Sequence, residues 1–152
     1  MKKRFYLFIP LLLLISCSMW VRTRSLFGDK MDIHVFITED ANLNHAFAVD
    51  VIYVYDKTFL KKLLELPAQQ WFQKRQQLWN DLYQDNAFEY WSWEWVPGQQ
   101  VDQIELPLRA GAIAGVIYAS YLSDGEHRIR FNPHHSINLL LAEKEFKVSS
   151  QK

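Results

Sequence analysis

The chain has a single cysteine, Cys17, so a domain built from the residues after it holds no intramolecular disulfide and must be stabilised by packing alone. Neither sign of charge is in excess: 17 basic residues face 17 acidic ones. That balance removes any general attraction to nucleic acid or to an anionic membrane surface. There is no Gly-rich phosphate loop, no serine nucleophile elbow and no paired-acid motif at a familiar spacing. The sequence therefore offers no catalytic set, points to a protein that is not an enzyme, and implies no cofactor. Long apolar runs are also scarce. The one at Phe5–Ile15 is too short to span a bilayer comfortably as a helix.

That run is nonetheless informative. Lys2, Lys3 and Arg4 precede it and Ser16-Cys17 follow it, which is the layout of a secretory signal peptide. An apolar residue at −3 and a small one at −1, directly before cysteine, resemble the bacterial lipobox. The resemblance implies cleavage before Cys17 and acylation of its thiol and new amine. Each buried CH₂ contributes roughly 0.8 kcal/mol, so two or more acyl chains anchor stably where one does not. A cleaved signal with an incidental cysteine, or an uncleaved apolar anchor, are the alternatives. Ser18 at the next position resembles the class of lipoproteins sorted to the outer membrane, here its periplasmic face. Losing Lys2, Lys3 and Arg4 leaves three more acidic than basic residues. The chain thus divides into a signal peptide (1–16), a tether (17–30) and a domain (31–150).

Within the domain, Ile33, Val35 and Ile37 alternate with His34 and Phe36, and Val49, Val51, Tyr53 and Tyr55 alternate with Asp50, Ile52 and Val54. Both patterns predict strands. Helical spacing follows in FLKKLLEL, which Asp56 or Thr58 can cap and Pro67 stops. A second helix is predicted from Pro67 to about Tyr83, because Trp71, Arg75, Leu78 and Leu82 share one stripe, with Phe72 and Trp79 beside it. Further strands are predicted at Phe88–Val96, Val101–Leu106 (ended by Pro107), Ala112–Tyr121, His127–Phe131 and Ile137–Leu141, with Phe146 and Val148 closing or extending the sheet. Pro97-Gly98 suits a type II turn and Asp124-Gly125 a hairpin. About seven strands and one helical excursion between the second and third predict a mainly β, two-sheet sandwich.

Three groups are candidates for function. His127, His134 and His135 lie close in sequence but lack supporting ligands, so they read as solvated loop histidines and not as a metal site. Trp91, Trp93 and Trp95 share a strand face. They could stack on a sugar or another planar ligand, but the expectation is that they pack under the helix of residues 67–83, since three exposed indoles would favour aggregation. The polar loop Glu39-Asp40-Ala41-Asn42-Leu43-Asn44 either only joins two strands or recognises a protein partner.

Several stretches together resemble the outer-membrane lipoprotein of the type VI secretion system, the SciN/TssJ family. They are the lipobox, the loop TEDANLN, the strand AVDVIYVYD with its following helix, then WVPGQ and IAGVIYASYLSDGEHRIRF, where Pro97, Gly98, Ala114 to Tyr121 and Arg128 carry the match. The resemblance implies a transthyretin-like β-sandwich with added helices. It also implies a lipid-anchored assembly protein that binds the periplasmic domain of an IcmF-like inner-membrane subunit. The contact loop maps onto Glu39, Asp40, Asn42, Leu43, Asn44 and His45, although Asn44-His45 stands where the family often has Asn-Pro. A pilotin-like or a ligand-binding (carbohydrate-type) envelope lipoprotein is the alternative.

Overall fold

A computed structural model describes residues 29–82 and 85–150; Cys17, the signal-peptide pattern and nearly all of the tether lie outside the described residues. The described elements are β1 (Asp29–Ile37), β2 (Phe47–Val54), α1 (Lys57–Glu65), α2 (Ala68–Leu82), β3 (Phe88–Trp95), β4 (Ile104–Leu108), β5 (Ala114–Ala119), β6 (Arg128–Phe131), β7 (Ile137–Leu141) and β8 (Phe146–Ser150). They form two four-stranded sheets, ordered β4-β1-β7-β8 and β3-β2-β5-β6. The mainly β sandwich with a helical excursion between β2 and β3 is as expected. The strand count rises from about seven to eight because β8 pairs fully with β7.

Alternation decides which side of each strand is dry. On β1, Met31, Ile33 and Val35 face the space between the sheets, and the intervening Phe36 is 56% exposed on the outside. β2 and β5 occupy the centre of the second sheet and are buried on both faces, which explains their almost unbroken apolar sequences. Val49, Val51, Tyr53, Ile117 and Ala119 join the core between the sheets. Ile52, Val54, Val116 and Tyr118 point the other way and are covered by α1 and α2 through Phe59, Leu63 and Trp71. Gly115 lies where the Phe131 ring closes over β5, and any Cβ there would overlap that ring.

The helical pair is locked at its ends. The Asp56 carboxylate accepts from the Phe59 N–H at 2.7 Å and caps α1. At the far end, the Tyr118 hydroxyl donates to the Leu63 carbonyl at 2.7 Å and the Arg128 guanidinium to the Leu66 carbonyl at 2.7 Å. The Leu63 carbonyl also accepts from the Leu66 N–H at 3.0 Å, the Arg128 donor satisfies a carbonyl at the helix end, and a cation suits the dipole there. Pro67 then separates α1 from α2.

Three sequence expectations are corrected. The first strand begins at Asp29, two residues inside the stretch read as tether. Pro107 does not end β4 but lies within it, opposite Lys30; β4 is an edge strand, where a missing N–H costs nothing in the ladder. The tryptophans of β3 do not pack under α2. Trp95 is buried in the core between the sheets, with Trp91 and Trp93 half-buried against it. The α2 side of β3 is supplied by Phe88 and Tyr90.

Candidate functional site

The strands β1, β3, β5 and β7 all end at one pole of the sandwich, so four connections gather there: 38–46, 96–99, 120–127 and 142–145. The β1–β2 loop residues singled out from the sequence lie at this pole, with Pro97-Gly98 and Asp124-Gly125, whereas His134 and His135 lie at the opposite one, in the β6–β7 connection. The chain between β1 and β2 is not irregular. It makes a helical turn, Ala41–Asn44, in which Asn42, Leu43 and Asn44 take φ of 47°, 55° and 62°. Left-handed conformation costs a non-glycine residue roughly 1–2 kcal/mol, so three in succession need strong external support.

Asn42 supplies much of it. Its side chain is fully buried. Its Nδ2 donates to the carbonyls of His45 and Ala46, each at 3.3 Å, while its Oδ1 accepts from the Leu122 N–H at 2.7 Å. The backbone N–H groups of Asn42 and Leu43 donate to the carbonyls of Ala142 and Glu143 at 3.1 and 3.0 Å. Thr38 receives the Gly98 N–H on its carbonyl at 2.9 Å, which fixes the turn formed by Pro97-Gly98, where Gly98 has φ of 68°. The Ser123 hydroxyl donates to the Lys144 carbonyl at 2.7 Å. The four connections are therefore tied into one rigid surface.

Burial divides the predicted contact residues. Glu39, Asp40, Asn44 and His45 are exposed and Leu43 is half-buried. Asn42 is corrected: its amide is committed to the backbone and presents nothing to a partner. Asp40 accepts from the Thr38 hydroxyl at 2.6 Å, and the His45 ring lies 2.8 Å from the Leu43 carbonyl, so these two side chains are oriented by the turn itself. Sequence reasoning missed two residues at this pole, Val96 and Leu122, which are 52% and 61% exposed. Each lies just beyond a strand end, where the period-two pattern that flags an outward apolar residue no longer applies.

Two of the three histidines are engaged within the fold, and His135 is exposed. His127, at φ of 42°, places Nε2 2.6 Å from the Ser123 carbonyl, and His134 places Nε2 3.0 Å from the Ala112 carbonyl. Among the described residues no group of three metal-binding side chains comes together.

A buried charge also escaped the sequence reading. Asp50 is completely buried on the helix side of β2. It accepts from the Trp71 indole N–H at 2.7 Å and from Arg75 Nη1 at 2.6 and 2.7 Å, and the same nitrogen donates to Ser92 at 2.9 Å. Trp71 lies flat on Tyr118, centroids 5.2 Å apart and planes 8° from parallel. The signal was an acidic residue in a strand otherwise buried on both faces, together with an arginine inside the apolar stripe of α2. The pair fixes how α2 sits on the sheet and performs no chemistry at the loop pole.

No family model and no curated protein matches the chain. Solved structures do. The type VI secretion lipoprotein TssJ1 from Pseudomonas aeruginosa is 12% identical, covering 82% of this chain and 98% of that one, with a TM-score of 0.65. Lip from Serratia marcescens, a membrane-bound component of the type VI secretion system, is 10% identical over 82% and 99% of the two chains, with a TM-score of 0.59. A chain in the structure of the type VI protein TssM C-terminal domain from EAEC is 13% identical over 82% and 98%, with a TM-score of 0.54. At such identities the likeness is one of fold, and the chain has the TssJ-like β-sandwich fold seen in type VI secretion lipoproteins.

Proposed function

We propose that this chain is a lipid-anchored assembly protein of a type VI secretion membrane complex, held at the periplasmic face of the outer membrane by acylated Cys17. Its partner is the periplasmic domain of the IcmF-like (TssM) inner-membrane subunit. The observation that carries the reading is the rigid loop pole, whose left-handed turn is held by a buried asparagine and leaves Glu39, Asp40, Asn44 and His45 exposed. Strain of this kind, held in place by its surroundings, is concentrated at functional sites. The TssJ-like fold and the TssM-domain structure among its neighbours agree with it. The arrangement also suits the anchor: β1 starts at the opposite pole from these loops, so a protein tethered through residues before Asp29 presents them away from its attachment.

The test is calorimetry of the full chain in detergent with the purified periplasmic domain of the IcmF-like subunit from the same genome. Glu39→Ala with His45→Ala, both outside the left-handed run, should weaken binding about tenfold or more while leaving the melting temperature unchanged. Binding unaffected by both substitutions moves the contact off this loop. The anchor is tested separately: Cys17→Ser should abolish lipidation and free the protein from the outer membrane, and a mature, membrane-bound Cys17→Ser protein would refute it.

A further inference from the structure

We infer that the partner surface extends beyond the β1–β2 loop into a composite apolar patch with an acidic rim, and that its occupant is a protein face carrying lysine or arginine around an apolar centre. The inference rests on the assembly reading above and specifies the chemistry of the partner.

The apolar part consists of Leu122 and Val96, more than half exposed, and the half-buried Leu43. These residues do not merely lie near each other in the topology. Leu122 is joined to Asn42 through its backbone N–H, next to Leu43, and the turn after Val96 is joined to Thr38 through Gly98. Exposed leucine and valine held on a rigid support lose little entropy on docking, which is what makes an apolar anchor effective.

The charge is one-sided. The four connections carry Glu39, Asp40, Asp124, Glu126, Glu143 and Glu145, against Lys144 alone among lysines and arginines. Glu126 is paired with Arg128 at 3.2 Å and Glu145 with Lys147 at 3.0 Å. Glu39, Asp40, Asp124 and Glu143 are exposed and form no ion pair among the described residues. The loop pole thus concentrates unpaired negative charge around its exposed apolar residues. A cleft of about 340 Å³ opens between the 124–129 segment and Lys144, Glu145 and Phe146, wide enough for a basic side chain beside Asp124. Acidic charge around an apolar centre steers and selects a basic partner and repels an acidic one.

The experiment uses the full chain in detergent and, as probe, the periplasmic domain of the IcmF-like subunit. Wild-type affinity should fall about tenfold between 50 and 300 mM NaCl, as expected for rim charges within a Debye length of their partners. Asp124→Asn with Glu143→Gln should weaken binding about tenfold and flatten that salt dependence, and Leu122→Ser should weaken it by a similar factor without altering the salt slope. Lys144→Glu should tighten binding, a direction that damage to the fold cannot produce. Asp85→Asn, at the other pole, should change nothing. Wild-type binding that is independent of salt, indifferent to Leu122→Ser and weakened by Lys144→Glu would overturn the inference while leaving the assembly reading intact. No binding by the wild-type chain at all would overturn the assembly reading, and the inference with it.

Discussion

At the scale of single residues, Asp50 and Asn42 show the same physics used for different ends. Each is a polar side chain with no exposed surface, and each of its polar atoms has a hydrogen-bond partner. Removing one partner from such a pair costs more than the pair itself contributes, because the other is left buried without compensation. Arg75→Ala should therefore destabilise by about 3–5 kcal/mol, since it leaves the Asp50 carboxylate with the Trp71 N–H and no cation. Asp50→Asn should cost less, because Arg75 keeps 29% of its side chain in solvent and can be hydrated. Urea unfolding reads both, and an Arg75→Ala change within the half kcal/mol typical of a surface site would mean that the clamp is idle. Neither residue's role was legible in the sequence. An asparagine in a polar loop looks the same whether its amide faces a partner or its own backbone, and an aspartate in a strand does not show which arginine lies across from it.

At the scale of elements, the strands were legible because burial on one face writes a period of two into the sequence, and the helices because theirs is a period of 3.6. What periodicity does not encode is which face meets which neighbour. The tryptophans of β3 were correctly placed on one side of the strand and then assigned to the wrong layer, since Phe88 and Tyr90 on the opposite side are equally suited to lie beneath Trp71 and Trp79. The left-handed turn at 41–44 has no period at all. Its energetics can be separated by substitution. Asn42→Ala and Asn42→Gly both lose the same side-chain hydrogen bonds, but glycine accepts φ of 47° without strain. Both variants should be destabilised, with alanine worse by about 1 kcal/mol. Equal melting temperatures for the two would show that the turn stores no strain at Asn42.

At the scale of the whole molecule, the absence of a disulfide leaves an aromatic core to hold two sheets and a helical layer together, and that core has a consequence at high pH. Tyr53, Tyr55, Tyr118 and Tyr121 all have their hydroxyl pKa raised, chiefly by burial. A group whose folded-state pKa is raised contributes stability that is fully present below its unfolded value and is lost as pH climbs past it. For tyrosine that value is about 10, so urea midpoints should be flat with respect to these groups below about pH 10 and fall above it. Absorbance titration should show the four rings ionising only as the protein unfolds; free ionisation in the folded state would contradict their burial. The ladder around β1 has a different consequence. β1 is held on one side by antiparallel β4, through the pairs from Asp29 to Ile33, and on the other by parallel β7, through the pairs from Ile33 to Ile37. A pull between a tether at Asp29 and a partner on the loops at its far end runs along the strand. Where the partner grips the 142–145 connection that follows parallel β7, the load passes through the β1–β7 hydrogen bonds together and does not peel them off one by one. In the assembly proposed above such a sandwich would carry tension in shear, and a single-molecule pull applied between positions 29 and 143, beyond the end of parallel β7, should meet more force before rupture than one applied between 137 and 150, which unzips β8 from β7.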